Sequence, residues 1–363
     1  MHVFFDHQCY WEKYGGVSRY FTEILKTSVP NVNYELAIKY SNNEYIKELG
    51  LQVMPLLDDW NIPKKKYLIS AFNKPNTISC LKQTKANIVH LTHYDPYLFK
   101  YTKNKIVVST MHDLNYFAIP QFYKRRTELL KNWQIKCAQM SDKIIVISEN
   151  TKKDLVNYLN IKEENIAVIH HGVSKTFTKT TCNRIIDKPY ILFVGARLAY
   201  KNFDTLLHSF ANIRDKYKDL VLVCTGSPLS PDEKKKIANI ELTGRIIQLS
   251  VSESDLVNLY SNALMFVFPS FYEGFGLPIL EAMSCECPVI CSNTSCFPEI
   301  AQTAALYFNP HSSDELTDII NETLMSKQLR DNLVAKGLDR IKSFSWDLSR
   351  EKHLNFYKSI DEK

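Results

Sequence analysis

The sequence lacks the signatures of several common classes of protein. No run approaches the roughly 20 apolar residues that a membrane-spanning helix needs. His2, Asp6 and Glu12 interrupt the apolar start, so we expect no secretory signal peptide and a cytoplasmic protein. Neither the G-x-G-x-x-G fingerprint of dinucleotide-binding folds nor the G-x-x-x-x-G-K-S/T loop of nucleoside triphosphatases occurs, which counts against a dehydrogenase and an NTPase.

The cysteine content does not indicate a disulfide framework. The chain has nine cysteines, an odd number, and without an export signal we expect reduced thiols. Four of them fall within twelve residues, at Cys285, Cys287, Cys291 and Cys296. A metal site is one interpretation of this cluster, but we favour small buried hydrophobic side chains and expect no bound metal.

Length and composition predict a folded chain of two domains. With 363 residues, 45% hydrophobic residues and 23% charged residues, the chain has enough apolar material for more than one core. The net charge of +6 is modest, and nucleic-acid-binding surfaces are far more basic. We therefore expect no nucleic acid partner.

Basic residues are concentrated in the first half of the chain, near aromatic residues. One interpretation is a solvated face; the other is a patch that contacts an anionic membrane or an anionic acceptor. The basic groups are Lys64 to Lys66, Lys100, Lys103, Lys105 and Lys124 to Arg126, and the aromatic residues are Trp60, Tyr67, Phe99 and Tyr123.

Short runs rich in Val and Ile alternate with stretches of helical periodicity, such as the one from Val17 to Leu25. Strands that alternate with helices predict parallel sheets covered on both sides. Two series of such runs therefore predict an α/β protein of two doubly wound, Rossmann-like domains. The runs are 2–5, 88–91, 105–110, 143–148 and 166–173, followed by 190–196, 220–226, 245–250, 264–270, 288–292 and 305–308.

The boundary between the two predicted domains falls in the polar stretch 174–189, which ends at Pro189 before a new strand. We place the N-terminal domain at 1–175 and the C-terminal domain at 176–344. The tail, 345–363, shows helical spacing and is predicted to form a final helix that packs back on the first domain.

Ligands of open parallel sheets bind beyond the carboxyl ends of the strands, so the loops after strands are the places to search. Gly15 and Gly16 precede the first amphipathic helix, where a helix start offers N–H groups to an anion, although a tight turn explains them equally well. His112 follows a strand, where a histidine can donate to a sugar hydroxyl or pack locally.

Two further loops carry polar residues after strands. Arg197 and Lys201 are four apart after 190–196, and on a helix they would share a face suited to a diphosphate; solvated surface charges are the alternative. Ser148 and Thr151 follow the apolar residues 143–147 and are placed to cap a helix, which we interpret as structural.

The stretch FPSFYEGFGLPILEAM, 268–283, holds two carboxylates eight positions apart, Glu273 and Glu281. It predicts a buried strand, a glycine-containing turn and a helix with Pro278 in its first turn. One carboxylate would bind hydroxyls and the other a vicinal diol such as ribose. The alternative is the acid/base pair of a hydrolase, for which the distance between the two carboxylates decides.

This stretch resembles the E-x7-E motif of family 4 retaining glycosyltransferases of the GT-B fold. The resemblance extends through nearly the whole chain and includes GGVSRY, MHDL, SENTKKDL, HHGV, R-x-x-x-K, PVI, PEI and the terminal FSW. It departs at Cys287, where the family usually has glycine. The resemblance implies two Rossmann-like domains facing across a cleft, the first binding an acceptor and the second a nucleotide sugar, and transfer that needs no metal or other cofactor.

The resemblance also implies roles for individual residues. In the first domain, the Gly15–Gly16 loop approaches the donor phosphates and His112 contacts the donor sugar. In the second domain, the diphosphate is bound by two cations, Arg197 and Lys201, and by the backbone amides of Phe275, Gly276 and Leu277 at the start of the helix. Glu273 binds the transferred sugar, and Glu281 binds the nucleotide ribose.

The expected activity is the transfer of a hexose from a nucleotide-diphosphate sugar to a glycan or lipid-linked glycan, in surface polysaccharide biosynthesis at the cytoplasmic membrane face. By resemblance, GDP-mannose is the first expectation for the donor, and UDP- or ADP-glucose is the second. Two alternatives remain: a GT-B nucleotide-sugar epimerase or hydrolase, and a non-enzymatic two-domain sugar-binding protein.

Overall fold

The computed structural model describes residues 1–27, 29–56, 65–123 and 127–361. Internal contacts divide the chain into two units. The first consists of Met1–Phe117, Tyr123–His171 and Trp346–Lys363, and the second of Ala118–Phe122 and Gly172–Ser345. The chain therefore enters the second unit briefly at Ala118–Phe122, long before the main crossing at Gly172.

The first unit contains a six-stranded parallel sheet in the order β2-β1-β3-β4-β5-β6. Its core forms where the apolar side chains of these strands meet the helices. The strands are β1 His2–Phe5, β2 Asn33–Leu36, β3 Ile88–Leu91, β4 Ile106–Met111, β5 Lys143–Val146 and β6 Ile166–Val168; the helices are α1 Gly16–Leu25, α2 Lys65–Gln83, α3 Asn115–Ala118, α4 Glu128–Met140 and α5 Glu149–Leu159.

The second unit repeats this architecture with a six-stranded parallel sheet in the order β12-β11-β10-β7-β8-β9 and a core of its own. Its strands are β7 Tyr190–Phe193, β8 Val221–Thr225, β9 Ile246–Leu249, β10 Met265–Phe268, β11 Val289–Ser292 and β12 Ala305–Phe308. Its helices are α6 Phe203–Ile213, α7 Pro231–Asn239, α8 Glu253–Asn262, α9 Leu277–Ser284, α10 Phe297–Ala301, α11 Ser313–Met325 and α12 Lys327–Arg340.

The predicted fold class is confirmed: each predicted run contains a strand, and the strands of both sheets run parallel. The strand that the sequence did not reveal is β2, whose residues NYEL are exposed or half-buried at the edge of the sheet. Because an edge strand is covered by a neighbour on one side only, it does not need the continuous apolar run that marked the others.

The last helix, α13 Trp346–Asp361, lies on the first unit. Two buried hydrogen bonds hold it there. The Tyr20 hydroxyl lies 2.7 Å from His353 Nε2, and the Tyr357 hydroxyl lies 2.6 Å from His90 Nδ1. A buried polar group without a partner costs stability, so these pairs specify where the helix docks.

Serine side chains cap the starts of α5, α7 and α8. The Ser148 hydroxyl accepts a hydrogen bond from the Thr151 amide, as predicted, and starts α5. Ser230 and Ser252 form capping boxes with Glu233 and Asp255 at α7 and α8.

The four clustered cysteines, Cys285, Cys287, Cys291 and Cys296, are buried free thiols. Burial raises the pKa of the Cys285 thiol to about 12, so it stays protonated and packs as a small hydrophobic group. Within the described ranges, no group of three or more His, Cys, Asp or Glu side chains is placed to hold a metal ion.

The same ranges contain no helix with the length and hydrophobicity to cross a bilayer. Much of the predicted basic patch lies outside the described residues: Trp60, Lys64 and Lys124 to Arg126, together with the side chain of Lys66. Of the basic groups that are described, Lys100 lies over the Tyr101 ring at 5.0 Å.

Candidate functional site

In the second unit, candidate residues lie in the loop between β10 and α9. Gly276 adopts a left-handed conformation with φ 89°, and a Cβ there would lie 3.3 Å from the Phe297 ring. Glycine is therefore required both by the backbone conformation and by packing. It lets the chain turn sharply from the loop into α9, whose first turn contains Leu277 and Pro278. The first amides of a helix point outward and favour an anion.

Glu273 and Lys201 form a close ion pair at this loop. Lys201 Nζ lies 2.5 Å from Glu273 Oε1, and each side chain is 16% exposed. Ser270 Oγ donates a second hydrogen bond of 2.9 Å to the same carboxylate oxygen, and the Glu273 amide donates to Ser295 Oγ. The carboxylate is thus held by two donors, and both side chains of the pair remain partly exposed.

Arg197 and Lys201 do not share a helix face, so that prediction is wrong. Arg197 lies in the loop after β7, Lys201 ends a short 3₁₀ turn, and Asn202 takes a left-handed conformation with φ 56° before α6 begins. Because Arg197 lies outside this turn, no helix joins the two residues, and their side chains reach different partners. The Lys201 amine reaches Glu273, whereas the guanidinium reaches elsewhere.

The Arg197 guanidinium is held by groups of its own unit. Its Nε donates to Glu233 Oε1 at 2.6 Å, and its terminal nitrogens donate to the carbonyl oxygens of Thr225 and Ser227. Only 4% of the side chain is exposed. The residue lines a cavity of about 490 Å³ together with Asn202 and Phe271. Arg197 therefore links the ends of β8 and α7, and its positive charge already has a carboxylate partner.

Glu281 lies one helical turn into α9 and is half-buried. Burial raises its pKa to about 7, although a 3.2 Å hydrogen bond from the Tyr260 hydroxyl acts in the opposite direction. The carboxyl therefore changes between neutral and ionised forms near neutral pH. An ionised form can accept two hydrogen bonds from a vicinal diol.

In the first unit, candidate residues line a pocket of about 340 Å³ at the carboxyl ends of β1 and β4. Gly15, Gly16 and His112 all lie in its wall, together with Trp11, His93 and Asn115. Two segments that are almost one hundred residues apart in the sequence thus meet at one place, as expected for loops at the same edge of a parallel sheet.

The two glycines leave space at the start of α1. Gly15 is extended, with φ −179° and ψ 146°, a conformation that any residue adopts. A Cβ on Gly16 would meet nothing within 4 Å, and one on Gly15 would meet only Ser18 Oγ at 3.5 Å. Neither residue takes the left-handed conformation that a glycine turn requires, so the tight-turn interpretation does not hold. The missing side chains leave the start of α1 open.

His112 is neutral and positioned by its surroundings. Its amide donates to the Tyr94 hydroxyl at 3.1 Å, and its ring lies edge-on to the Tyr20 ring at 5.1 Å. Burial, together with the neighbouring His93, lowers its pKa to about 3. Among the residues that the structure describes, its buried Nε2 has no hydrogen-bond partner. Such an atom suits a neutral hydroxyl group.

The structure thus brings together Gly15, Gly16 and His112 in one unit, and Lys201, Glu273 and the start of α9 in the other. Sequence reasoning missed Asn115, Ser270 and Tyr260. Asn115 and Ser270 are polar residues in segments that follow strands, a signal that was available. Tyr260 lies on α8 and approaches Glu281 only through tertiary packing.

Comparison with protein families gives two adjoining matches. Residues 14–177 match the family described as Glycosyltransferase Family 4, and residues 180–340 match the family described as Glycosyl transferases group 1. Together the two matches include every site residue that the sequence analysis singled out, from Gly15 to Glu281.

Curated relatives include mannosyltransferases. The chain is 29% identical over 270 residues to O-antigen chain mannosyltransferase B of Escherichia coli, covering 70% of each chain. It is 31% identical over 208 residues to O-antigen chain mannosyltransferase RfbU of Salmonella typhimurium, covering 55% of this chain and 56% of the relative. Among solved structures, sucrose-phosphate synthase from Thermosynechococcus elongatus has the same fold, with a TM-score of 0.78, 19% identity and 99% of each chain covered.

Proposed function

The chain belongs to the family 4 glycosyltransferases of the GT-B fold, and from this premise we propose that it transfers mannose from GDP-mannose to a glycan in surface polysaccharide biosynthesis. The choice of mannose is supported by the two O-antigen mannosyltransferases among its relatives. The observation that carries most weight for the chemistry is the Lys201–Glu273 pair at the start of α9.

In the second unit we assign the diphosphate to Lys201 and to the amides that begin α9, at Phe275, Gly276 and Leu277. An ammonium group and a helix start both favour negative charge that develops on a leaving phosphate. Because the Lys201 amine is paired with Glu273 in the empty chain, the arriving phosphate takes over part of the lysine's charge. The freed carboxylate oxygens can then accept hydrogen bonds from the hydroxyls of the transferred sugar.

Arg197 has a different role from Lys201 in this proposal. Its guanidinium is already bound to Glu233 and two carbonyl oxygens, so it contributes positive potential near the diphosphate while it fixes the loop that carries Lys201. Glu281 accepts hydrogen bonds from the ribose diol. In the first unit, the open start of α1 at Gly15 and Gly16 binds donor phosphate, and His112 Nε2 binds a hydroxyl of the donor sugar.

We propose that the transfer retains the anomeric configuration and requires no metal ion. The bond from the sugar to the diphosphate breaks first and leaves a short-lived oxocarbenium-like cation beside the diphosphate. The acceptor hydroxyl then attacks the same face, and its proton passes to a phosphate oxygen. In this scheme the protein supplies preorganised charge rather than a covalent nucleophile.

The decisive test is transfer by the purified chain. GDP-mannose, UDP-glucose and ADP-glucose are each incubated with lipid-linked glycan acceptors, with and without EDTA, and the product linkage is assigned by NMR. The proposal expects mannose transfer with retained configuration and no effect of EDTA. Transfer from UDP-glucose or ADP-glucose, with none from GDP-mannose, would show that the proposed donor is wrong. Inverted configuration or loss of activity in EDTA would contradict the mechanism, and sugar release or epimerisation without an acceptor would indicate a nucleotide-sugar epimerase or hydrolase instead.

We also propose that the acceptor is carried by lipid and that the first unit makes peripheral contact with an anionic membrane. Helix α2 presents three exposed apolar side chains, Tyr67, Leu68 and Phe72, on a segment that begins with lysines. Apolar groups flanked by positive charge are the composition that binds the surface of anionic bilayers.

A further inference from the structure

A second buried polar atom in the pocket of the first unit has no hydrogen-bond partner among the described residues. This atom is Oδ1 of Asn115, the first residue of α3. Asn115 lines the same pocket as His112, and His112 lies three residues earlier in the chain. An unpartnered buried acceptor costs stability, so a group that enters the pocket and donates to it recovers that cost.

The charge states of His112 and Asn115 indicate which ligand groups these two side chains can bind. The low pKa of His112 keeps its ring neutral, and the Asn115 amide is neutral by nature. Oδ1 is an acceptor and needs a donor. A phosphate dianion has no hydrogen to donate, whereas a hydroxyl donates one hydrogen bond and accepts others at the same time.

The apolar part of the wall supports the same class of ligand. Trp11, Tyr94 and Tyr116 line the pocket beside the two unpartnered atoms. Trp11 also lies with its ring centre 4.8 Å from that of His93, which holds the indole in place. A pyranose combines an apolar C–H face with a rim of hydroxyls, and pockets for such ligands pair aromatic walls with a few placed polar groups.

We propose that Asn115 is a sugar-binding residue that accepts a hydrogen bond from a hydroxyl group and works beside His112 to select the hydroxyl pattern of the sugar in this pocket. The inference rests on the proposed glycosyl transfer and adds to it a residue that sets specificity. The hydroxyl belongs either to the sugar of the donor or to the terminal sugar of the acceptor, and the two sources are separated by the kinetics.

The test combines one variant with a series of altered substrates. Asn115→Leu removes the acceptor and keeps a similar volume. GDP-mannose and acceptor analogues are prepared in which single hydroxyls are replaced by hydrogen. For the unsubstituted chain, one of these analogues should lower kcat/KM by about tenfold or more, as a site built for a hydroxyl discriminates against its absence. Asn115→Leu should show the same loss with the intact substrate and no further loss with that analogue.

The identity of the sensitive analogue tells the two sources apart. A non-additive loss with a donor analogue places the hydroxyl on the transferred sugar, and one with an acceptor analogue places it on the acceptor. Losses that simply add for every analogue, or an Asn115→Leu variant with full kcat/KM, would overturn the inference. Absence of transfer and of GDP-mannose binding by the unsubstituted chain would refute the proposed function, and this inference with it.

The Tm of the Asn115→Leu variant distinguishes a sugar-binding role of Asn115 from a purely structural one. Replacing an unpartnered buried polar group by an apolar one is close to neutral or stabilising, so the empty Asn115→Leu chain should keep or exceed the original Tm. Its affinity for the intact sugar substrate, measured by calorimetry, should nevertheless fall about tenfold. A lower Tm with unchanged affinity would assign Asn115 to the fold and contradict the inference. Asn87→Leu serves as the matched control, because Asn87 is exposed, pairs with Asp361 and precedes β3 at the opposite end of the sheet.

Discussion

The two units place polar groups at the carboxyl ends of similar sheets but keep them in opposite states. In the first unit, His112 and Asn115 are neutral, and buried atoms of both lack partners among the described residues. In the second unit, Lys201 and Arg197 are charged and already paired, with Glu273 and Glu233. The first arrangement suits neutral hydroxyls that fill vacant hydrogen-bonding positions, and the second suits an anion that displaces an existing partner.

The glycines at the two candidate sites also differ between the units. Gly276 of the second unit is required by a left-handed backbone and by the nearby Phe297 ring. Gly16 of the first unit is required by neither, since its conformation is ordinary and a Cβ would meet open space. One glycine serves the fold of its loop, and the other leaves open space at the start of α1.

The largest effect is expected from removing the exchangeable cation. Lys201→Ala should lower kcat by roughly a hundredfold or more, as loss of a preorganised charge partner does. Lys327→Ala is the matched control, because Lys327 pairs with Asp331 on an exposed face of α12. Steady-state kinetics with saturating donor measure both. Near-normal turnover in Lys201→Ala would mean that the ion pair is structural and that the contrast between the units is wrong.

Arg197→Ala tests the difference between the two cations of the second unit. We expect a loss of kcat of similar size, roughly a hundredfold, but accompanied by a lower Tm, because Glu233 and two carbonyl oxygens lose their donor. Thermal unfolding of the empty chain measures this second effect. An unchanged Tm would show that the Arg197 contacts contribute little to the fold.

Substitutions of the two glycines should affect different quantities: the free energy of unfolding for Gly276 and the KM for the donor for Gly16. Gly276→Ala should lower the free energy of unfolding by roughly 1–3 kcal/mol, the usual cost of a strained backbone position. Gly16→Val should leave that free energy nearly unchanged and raise the KM for the donor by about tenfold, or about 1.4 kcal/mol of binding. Chemical denaturation and donor titration separate these outcomes. The reverse pattern would contradict the assignment of both glycines.

The pH dependence of stability should show the raised pKa of Glu281. The native state holds its proton between pH 4.5, the ordinary value, and about 7, while the unfolded chain has lost it. The contribution of this group to stability is therefore largest at low pH and declines across that window, by at most about 3 kcal/mol. Glu281→Gln removes the decline and weakens nucleotide binding. Parallel stability profiles of the two chains between pH 4.5 and 7 would contradict the pKa shift.

The smallest effect is expected at the membrane. Binding to vesicles that contain anionic lipid should weaken severalfold as salt rises, because screening shortens the range of the attraction. Phe72→Ala should weaken it further, since this exposed side chain lies on α2. Met325→Ala, which changes an even more exposed apolar residue of the second unit, is the control. Vesicle co-sedimentation provides the measurement. Absence of binding at every salt concentration would remove the proposed membrane contact.

Sequence patterns predicted the sheets well because central parallel strands are apolar on both faces. They did not reveal β2, an edge strand. Nor did they reveal that Ala118–Phe122 belongs to the second unit, because its contacts there are with residues distant in the chain. The Glu273 carboxylate was identified from its motif. Its direct ion pair with Lys201 was not predicted, because the two residues are 72 positions apart and only the folded loops after β7 and β10 bring them together.

The central claim is that the cationic group and the helix start of the second unit bind the diphosphate of a nucleotide sugar. Isothermal titration of GDP, UDP and ADP into the unsubstituted chain and into Lys201→Ala tests it most directly. The account predicts that GDP binds and that the variant binds it at least tenfold more weakly, a difference of about 1.4 kcal/mol. Failure of all three nucleotides to bind at millimolar concentration, or equal binding by both chains, would contradict it.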